Sequence, residues 1–244
     1  MRLWNVETRQ CRAILTGHSS KIQSVAFNGD GTVLASGSND KTVRLWDTST
    51  GECLQVLQGH TNDLTFVTFH PNQQTLITAS TDSVRLWDIQ TFECLQIFNI
   101  SSNWLLAISL HSMRFAIALS HDGQTLVTGS DNNAVKLWDI SNGECIKILP
   151  DYNSCVWSVA FSHDDQTIVT GSEDNTIKIW DIETGECLQT LREHQERVWL
   201  VDLHPDNQTL LSISEDQTIK LWDIRSRRCL KTLCGYSNWI LSAL

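Results

Sequence analysis

His18, Ser36 and Asp40 are the residue types of acyl-transfer chemistry: a base, a hydroxyl nucleophile and an orienting acid. The same set returns as His194, Ser212 and Asp216. A catalytic trio is built once, beside an oxyanion hole and with its hydroxyl exposed, and the chain has no Gly-x-Ser-x-Gly elbow to present one. It also has no phosphate-binding loop, no dinucleotide glycine fingerprint and no His-Glu-x-x-His motif. Eight cysteines invite a disulfide or zinc reading. Six of them, Cys11, Cys53, Cys94, Cys145, Cys187 and Cys229, fall seven residues after Trp4, Trp46, Trp87, Trp138, Trp180 and Trp222. Equivalent positions in successive repeats stand too far apart for a bond that needs Cα atoms within about 7 Å. No Cys-x-x-Cys pair offers zinc spacing. The six are expected as small hydrophobic residues in strands. Cys155 and Cys234 lie off the pattern; Cys155, near a loop-to-strand junction, is read as structural, with partial reactivity the alternative. Neither a metal nor a cofactor is expected.

The tryptophans reveal the elements that carry these residues. Their spacings are 42, 41, 51, 42 and 42 residues, and the last five are each followed by aspartate. A Trp-Asp period near 40–45 residues marks a repeat of four short strands. One such sheet cannot bury its own faces, so the repeats must stack radially around a channel. Residues 17–58 show one unit: Ser24–Phe27, the turn at 28–31, Thr32–Ser36, a second turn, Thr42–Trp46 with its apolar–polar alternation, and Cys53–Leu57. The three prolines, Pro71, Pro150 and Pro205, fall in turns or loops, where no ladder bond is lost. The expected fold is an all-β propeller in a single domain over 1–244. Its full repeats are 17–58, 59–99, 100–149, 150–192 and 193–234, and 1–16 and 235–244 form an incomplete sixth blade.

Over its whole length the chain resembles the WD40-repeat β-propellers. Gly17-His18 and Gly59-His60 match the opening dipeptide of that family, and the Trp-Asp pairs match its closing one. The phrase Gly-Glu-Cys-Leu and the variants of Asp-Gly-Gln-Thr-Leu are similar to the near-identical repeats of prokaryotic, cyanobacterial-type members. The resemblance implies that His18, Ser36, Asp40 and Trp46 form a structural hydrogen-bonded tetrad, as do His194, Ser212, Asp216 and Trp222. The middle repeats depart from it. His60, Thr78 and Trp87 keep their types, but Asp82 is one residue out of place. Thr128 and Trp138 accompany Asn132, with no convincing histidine. Thr170, Asp174 and Trp180 accompany Tyr152. A partly satisfied network is weaker, so the central blades are expected to be softer.

The family also implies a protein-interaction scaffold, often the sensing or regulatory part of a signalling protein, with its contact surface on the loops joining strands d–a and b–c. Aligning the first strands puts Lys21, Asp63, Cys155, Arg197 and Trp239 in one column, and Gln23, Thr65, Trp157, Trp199 and Leu241 in another. Trp157 and Trp199 flanked by Arg197 resemble an interface anchor; the alternative is that both indoles pack between blades. The 51-residue repeat holds an apolar segment, 101–110, containing Trp104. It is read as an insertion in the d–a loop, with Phe115–Leu119 as the first strand, and it serves either as a partner site or as an extra strand.

Net charge is −10, from 18 basic and 28 acidic residues, which disfavours nucleic acid and anionic membranes as partners and leaves a basic protein partner open. Glu52, Glu93, Glu144 and Glu186 each precede a repeat cysteine and read as solvated turn residues. The absence of a leader, of any apolar run of about 20 residues and of a disulfide framework points to the cytoplasm. The missing strand of the sixth blade suggests a fragment of a longer propeller protein, a tolerated defect, or closure by another chain, and leaves self-association open. A nonfunctional remnant and a hydrolase or lyase working in the channel are the remaining alternatives.

Overall fold

The computed structural model describes residues 1–80, 83–99, 116–129, 134–149 and 154–234. Among them there is no helix. Sheet I pairs β1 (Arg2–Trp4) with β2 (Cys11–Ile14). Sheet II runs β3 (Ile22–Phe27), β4 (Val33–Ser38), β5 (Val43–Asp47) and β6 (Cys53–Leu57). Sheet III holds β7 (Leu64–Phe69), β8 (Thr75–Ser80), β9 (Ser83–Asp88) and β10 (Cys94–Asn99). Sheet IV holds β11 (Ile117–Leu119), β12 (Thr125–Gly129), β13 (Val135–Asp139) and β14 (Cys145–Leu149). Sheet V holds β15 (Val156–Phe161), β16 (Thr167–Ser172), β17 (Ile177–Asp181) and β18 (Cys187–Leu191). Sheet VI holds β19 (Val198–Leu203), β20 (Thr209–Ser214), β21 (Ile219–Asp223) and β22 (Arg228–Leu233). Each of the five full sheets is an antiparallel meander. The chain divides into two compact units, Met1–Trp104 and Leu105–Leu244.

Within each unit the sheets bury one another in the same way. Ala35, Val43, Leu45 and Leu57 of sheet II meet Leu64, Val67, Phe69, Leu76 and Trp87 of sheet III. Val127, Val135, Leu137 and Leu149 of sheet IV meet Val156, Val159, Phe161, Ile168 and Trp180 of sheet V. Val169, Ile177, Ile179 and Leu191 of sheet V then meet Val198, Val201, Leu210 and Trp222 of sheet VI. Each aliphatic side chain so buried contributes about 1.5–3 kcal/mol relative to exposure. The second strand of a sheet is covered on both faces, which is why β4, β8 and β16 are buried from their second residue onward. Close approach also demands a small residue: a Cβ on Gly171 would sit 2.8 Å from Val198 Cγ1.

The strand read from sequence as Thr32–Ser36 starts at Val33 and continues to Ser38, because Gly37 still pairs with Val43 and Ser38 with Ile22. In sheet IV the first strand is β11, with Ser120-His121-Asp122-Gly123 as the turn that follows. The insertion at 101–110 with Trp104 lies outside the described residues, as do residues 235–244 with Trp239. The cysteines need a correction. Cys53, Cys94, Cys145 and Cys187 open fourth strands, Cys229 is the second residue of β22, and Cys11 opens β2 of sheet I. Of these, Cys11, Cys53, Cys145 and Cys187 are exposed, and Cys94 and Cys229 only half-buried. The fourth strand is an edge, and its neighbours Leu54, Leu95, Ile146, Leu188 and Leu230 are about as open. None of the eight cysteines is in a disulfide among the described residues.

Candidate functional site

In sheets II and VI the serine, histidine and aspartate meet. His18 Nε2 lies 2.8 Å from Ser36 Oγ, and its Nδ1 lies 2.8 Å from Asp40 Oδ2. His194 makes the same contacts with Ser212 and Asp216 at 2.7 Å each. Yet Ser36 and Ser212 have no exposure at all, and each hydroxyl oxygen accepts an indole N–H, from Trp46 and Trp222, at 2.8 Å. A nucleophile must present that oxygen to a substrate. Here it is buried between strands and already bonded, so the arrangement ties the second and third strands to the segment before the first.

The charges in the network follow from its surroundings. Burial by itself would raise the Asp40 pKa, but hydrogen bonds from Thr42, His18 and the Ser19 amide outweigh it and hold the carboxyl at about 2. Asp216 is lowered in the same way, with Thr218, the Gln195 amide and His194 as donors. Burial lowers the His194 pKa, against the pull of Asp216. A neutral imidazole therefore donates from Nδ1 to an ionised aspartate and accepts from the serine at Nε2. The glycine before the histidine makes room for a neighbour: a Cβ on Gly17 would lie 2.8 Å from Arg44 Nη1, whose guanidinium stacks 6.0 Å from the Trp46 ring centre.

The other sheets keep the indole bond and change the rest. Trp87 donates to Thr78 at 2.8 Å, Trp138 to Thr128 at 2.9 Å and Trp180 to Thr170 at 3.2 Å. His60 reaches Thr78 at 2.8 Å and, through Nδ1, the hydroxyl of Ser80 at 2.7 Å. Ser80 was not singled out from sequence; it lies two residues after Thr78, on the same face of β8, and that parity was the available signal. Asp82, Asn132 and Tyr152 lie outside the described residues. Asp174 accepts from the Thr176 amide at 3.0 Å and its hydroxyl at 2.6 Å, within its own turn. The aspartates of the Trp-Asp pairs act in the turns between third and fourth strands. Asp47 accepts from Ser49 and the Thr50 amide and is held at about 2.

The second constellation lies where sheets V and VI adjoin. Trp157 and Trp199 are the bulged residues of β15 and β19: Val156 pairs with Ser172 and Ser158 with Gly171, while Val198 pairs with Ser214 and Leu200 with Ile213. A bulge re-aims its side chain, and here it brings the two rings edge to face, 5.0 Å between centres and 65° between planes. Arg197 lies 5.2 Å from the Trp199 ring and 5.9 Å from that of Trp157. Its Nε is 2.5 Å from Glu215 Oε2, and its Nη1 is 3.9 Å from Glu173 Oε1. The inter-sheet packing of the indoles is thus realised, with Arg197 27% and Glu173 42% exposed.

Glu173 and Glu215 were missed in the sequence. They enter because the b–c turn folds back on the segment before the first strand: the Glu173 amide donates to Cys155 O at 2.9 Å and the Glu215 amide to Arg197 O at 3.0 Å. Asn39 and Lys21 make the same bond in sheet II. The Trp157 indole N–H is buried with no hydrogen-bond partner among the described residues, unlike the five network indoles. Among the described residues no group of histidine, cysteine and carboxylate side chains could hold a metal ion.

A family model for the first β-propeller of IFT122 matches residues 1–243. The chain belongs to this WD40-type propeller family. Its sheets are the blades of that fold: five complete four-stranded blades and the two-stranded sheet I. Protein tipD of Dictyostelium discoideum is 30% identical over 145 residues, covering 57% of this chain and 21% of that protein. Periodic tryptophan protein 2 homolog of Schizosaccharomyces pombe is 25% identical over 157 residues, covering 59% of this chain and 18% of that protein. The propeller chain therefore spans about a fifth of the length of these relatives.

Proposed function

We propose that this propeller is a non-catalytic protein-interaction scaffold that docks its partner on the loops of sheets V and VI, at Trp157, Arg197 and Trp199. The observation that carries the reading is the Trp157–Arg197–Trp199 cluster itself. It sits on bulged positions at the start of two first strands, partly open to solvent, with one indole N–H left without an acceptor among the described residues. A buried donor without a partner costs about 1–3 kcal/mol. A tryptophan placed only for stability would pair its N–H, as the network tryptophans do. Tryptophan and arginine, here half-buried, are also among the residue types that carry most binding energy at protein interfaces.

The finer reading is a regulatory or sensing role within a signalling protein of the cytoplasm. It rests on the likeness of the regular repeats to those of such propellers, and on the free thiols. With a net charge of −10, nucleic acid and anionic membrane are not proposed as partners. Affinity capture from the source lysate with the wild-type chain and with Trp157→Ala/Trp199→Ala tests the docking site, once both are shown to melt alike. Loss of the captured proteins is expected. Unchanged capture would assign the two indoles to packing alone.

A further inference from the structure

The cluster already holds a cation in the way a bound one would be held. Arg197 lies against two indole rings and between two carboxylates, and its position shows that the pocket's chemistry suits a guanidinium. The two carboxylates are not equally used. Glu215 takes the close contact from Arg197 Nε, whereas Glu173, the more exposed of the two, stands at 3.9 Å. An ionised carboxylate has about four acceptor sites, and the only charged contact of Glu173 among the described residues is this long one.

The surrounding loops repeat that imbalance. Residues 192–197, 173–174 and 215–216 carry two basic side chains, Arg192 and Arg197, against six acidic ones: Glu193, Glu196, Glu173, Asp174, Glu215 and Asp216. Lys220 offsets one of them, at 4.0 Å from Glu193. An acidic partner would have to pull Arg197 away from Glu215 while facing Glu173. A basic one would meet Glu173, whose one charged contact among the described residues is the 3.9 Å one to Arg197.

Resting on the docking reading above, we infer that the partner presented to this cluster is a basic, extended protein segment. One of its arginine or lysine side chains pairs with Glu173 and lies against the Trp157 and Trp199 rings beside Arg197. Glu173 and Glu215 set the sign of the partner, and Arg197 competes in cis for the same groups.

The test is fluorescence anisotropy on the full chain with two labelled synthetic decapeptides. One carries four arginines among glycine and serine, and the other has glutamate in place of arginine. The arginine peptide should bind the wild type, and Glu173→Gln/Glu215→Gln should weaken it by about tenfold, as expected for loss of close charge pairs at an interface. Glu144→Gln/Glu186→Gln removes the same charge at the c–d turns, at the other end of the strands, and should change affinity by less than about twofold. Arg197→Ala should tighten the arginine peptide, whereas a site for an acidic segment would lose binding. Tighter binding of the glutamate peptide, equal losses in the two glutamine pairs, or weaker arginine-peptide binding in Arg197→Ala would each overturn the inference. If the arginine peptide fails to bind while Trp157→Ala/Trp199→Ala still abolishes capture, the basic class is wrong and the docking site stands. If capture also survives those substitutions, the docking site is wrong too.

Discussion

Sheets V and VI are neighbours with the same strand order and the same Trp-Asp ending, and they use the turn aspartate differently. In both, one carboxylate oxygen accepts the amide and hydroxyl of a threonine two residues on: Thr176 at 3.0 and 2.6 Å from Asp174, Thr218 at 3.0 and 2.6 Å from Asp216. In sheet VI the second oxygen also reaches His194 at 2.7 Å and the Gln195 amide at 3.0 Å. In sheet V the described bonds of Asp174 end at its own turn. The aspartate thus has two separable jobs, shaping a local turn and tying that turn to the segment preceding the first strand. Sheet VI has both.

The largest effects come from what the sheets share. Trp222→Ala and Trp180→Ala, each removing an indole at most 2% exposed, should cost about 3–5 kcal/mol in chemical denaturation. Trp4→Ala, at a side chain 56% exposed, should stay within about 0.5 kcal/mol. Next comes the link that distinguishes them. Asp216→Asn breaks a charge-assisted bond to a buried imidazole and should cost about 1.5–3 kcal/mol, whereas Asp174→Asn, which keeps a turn-forming side chain, should cost less than about 1 kcal/mol. Equal costs would erase the comparison.

Acid should sharpen it. His194 is lowered by burial, so the unfolded chain binds its proton first, and this contribution is lost as pH falls below the ordinary histidine value of 6.5. Asp40, held at about 2, and Asp216, also lowered, stabilise the fold above the ordinary aspartate value of 3.8; both lose that contribution as pH falls below it, Asp40 over the range down to about 2. Thermal melts across this range should fall less steeply in Asp216→Asn. The smallest effect on stability is expected at the binding cluster. Arg197→Ala removes a partly exposed ion pair and should shift stability by at most about 1 kcal/mol, while changing affinity.

Much of this architecture is legible in the chain, because a period near 42 residues that ends in Trp-Asp and holds short alternating strands is the pattern of stacked four-stranded sheets. What escaped was set by contacts across the repeat. Strand alternation in Val156–Phe161 gives no hint of the bulge at Trp157, since a bulge is a shift of register between strands rather than a pattern in one. Glu173 and Glu215 look like ordinary turn residues until the b–c turn folds back on Cys155 and Arg197. Ser80 bonds His60 because side chains two apart share a face of a strand. The cysteines read as small hydrophobic residues of the fourth strand, but the pattern of one strand does not show that this strand is an edge, where apolar residues stand half open.

Native-state hydrogen exchange, read amide by amide along β17 and β21, tests most directly whether the histidine–aspartate link is what makes one blade firmer than its neighbour. The account predicts that Lys220, Leu221 and Trp222 exchange more slowly than Lys178, Ile179 and Trp180, and that Asp216→Asn brings the two strands level. Equal protection in the wild type, or greater protection in β17, would contradict it.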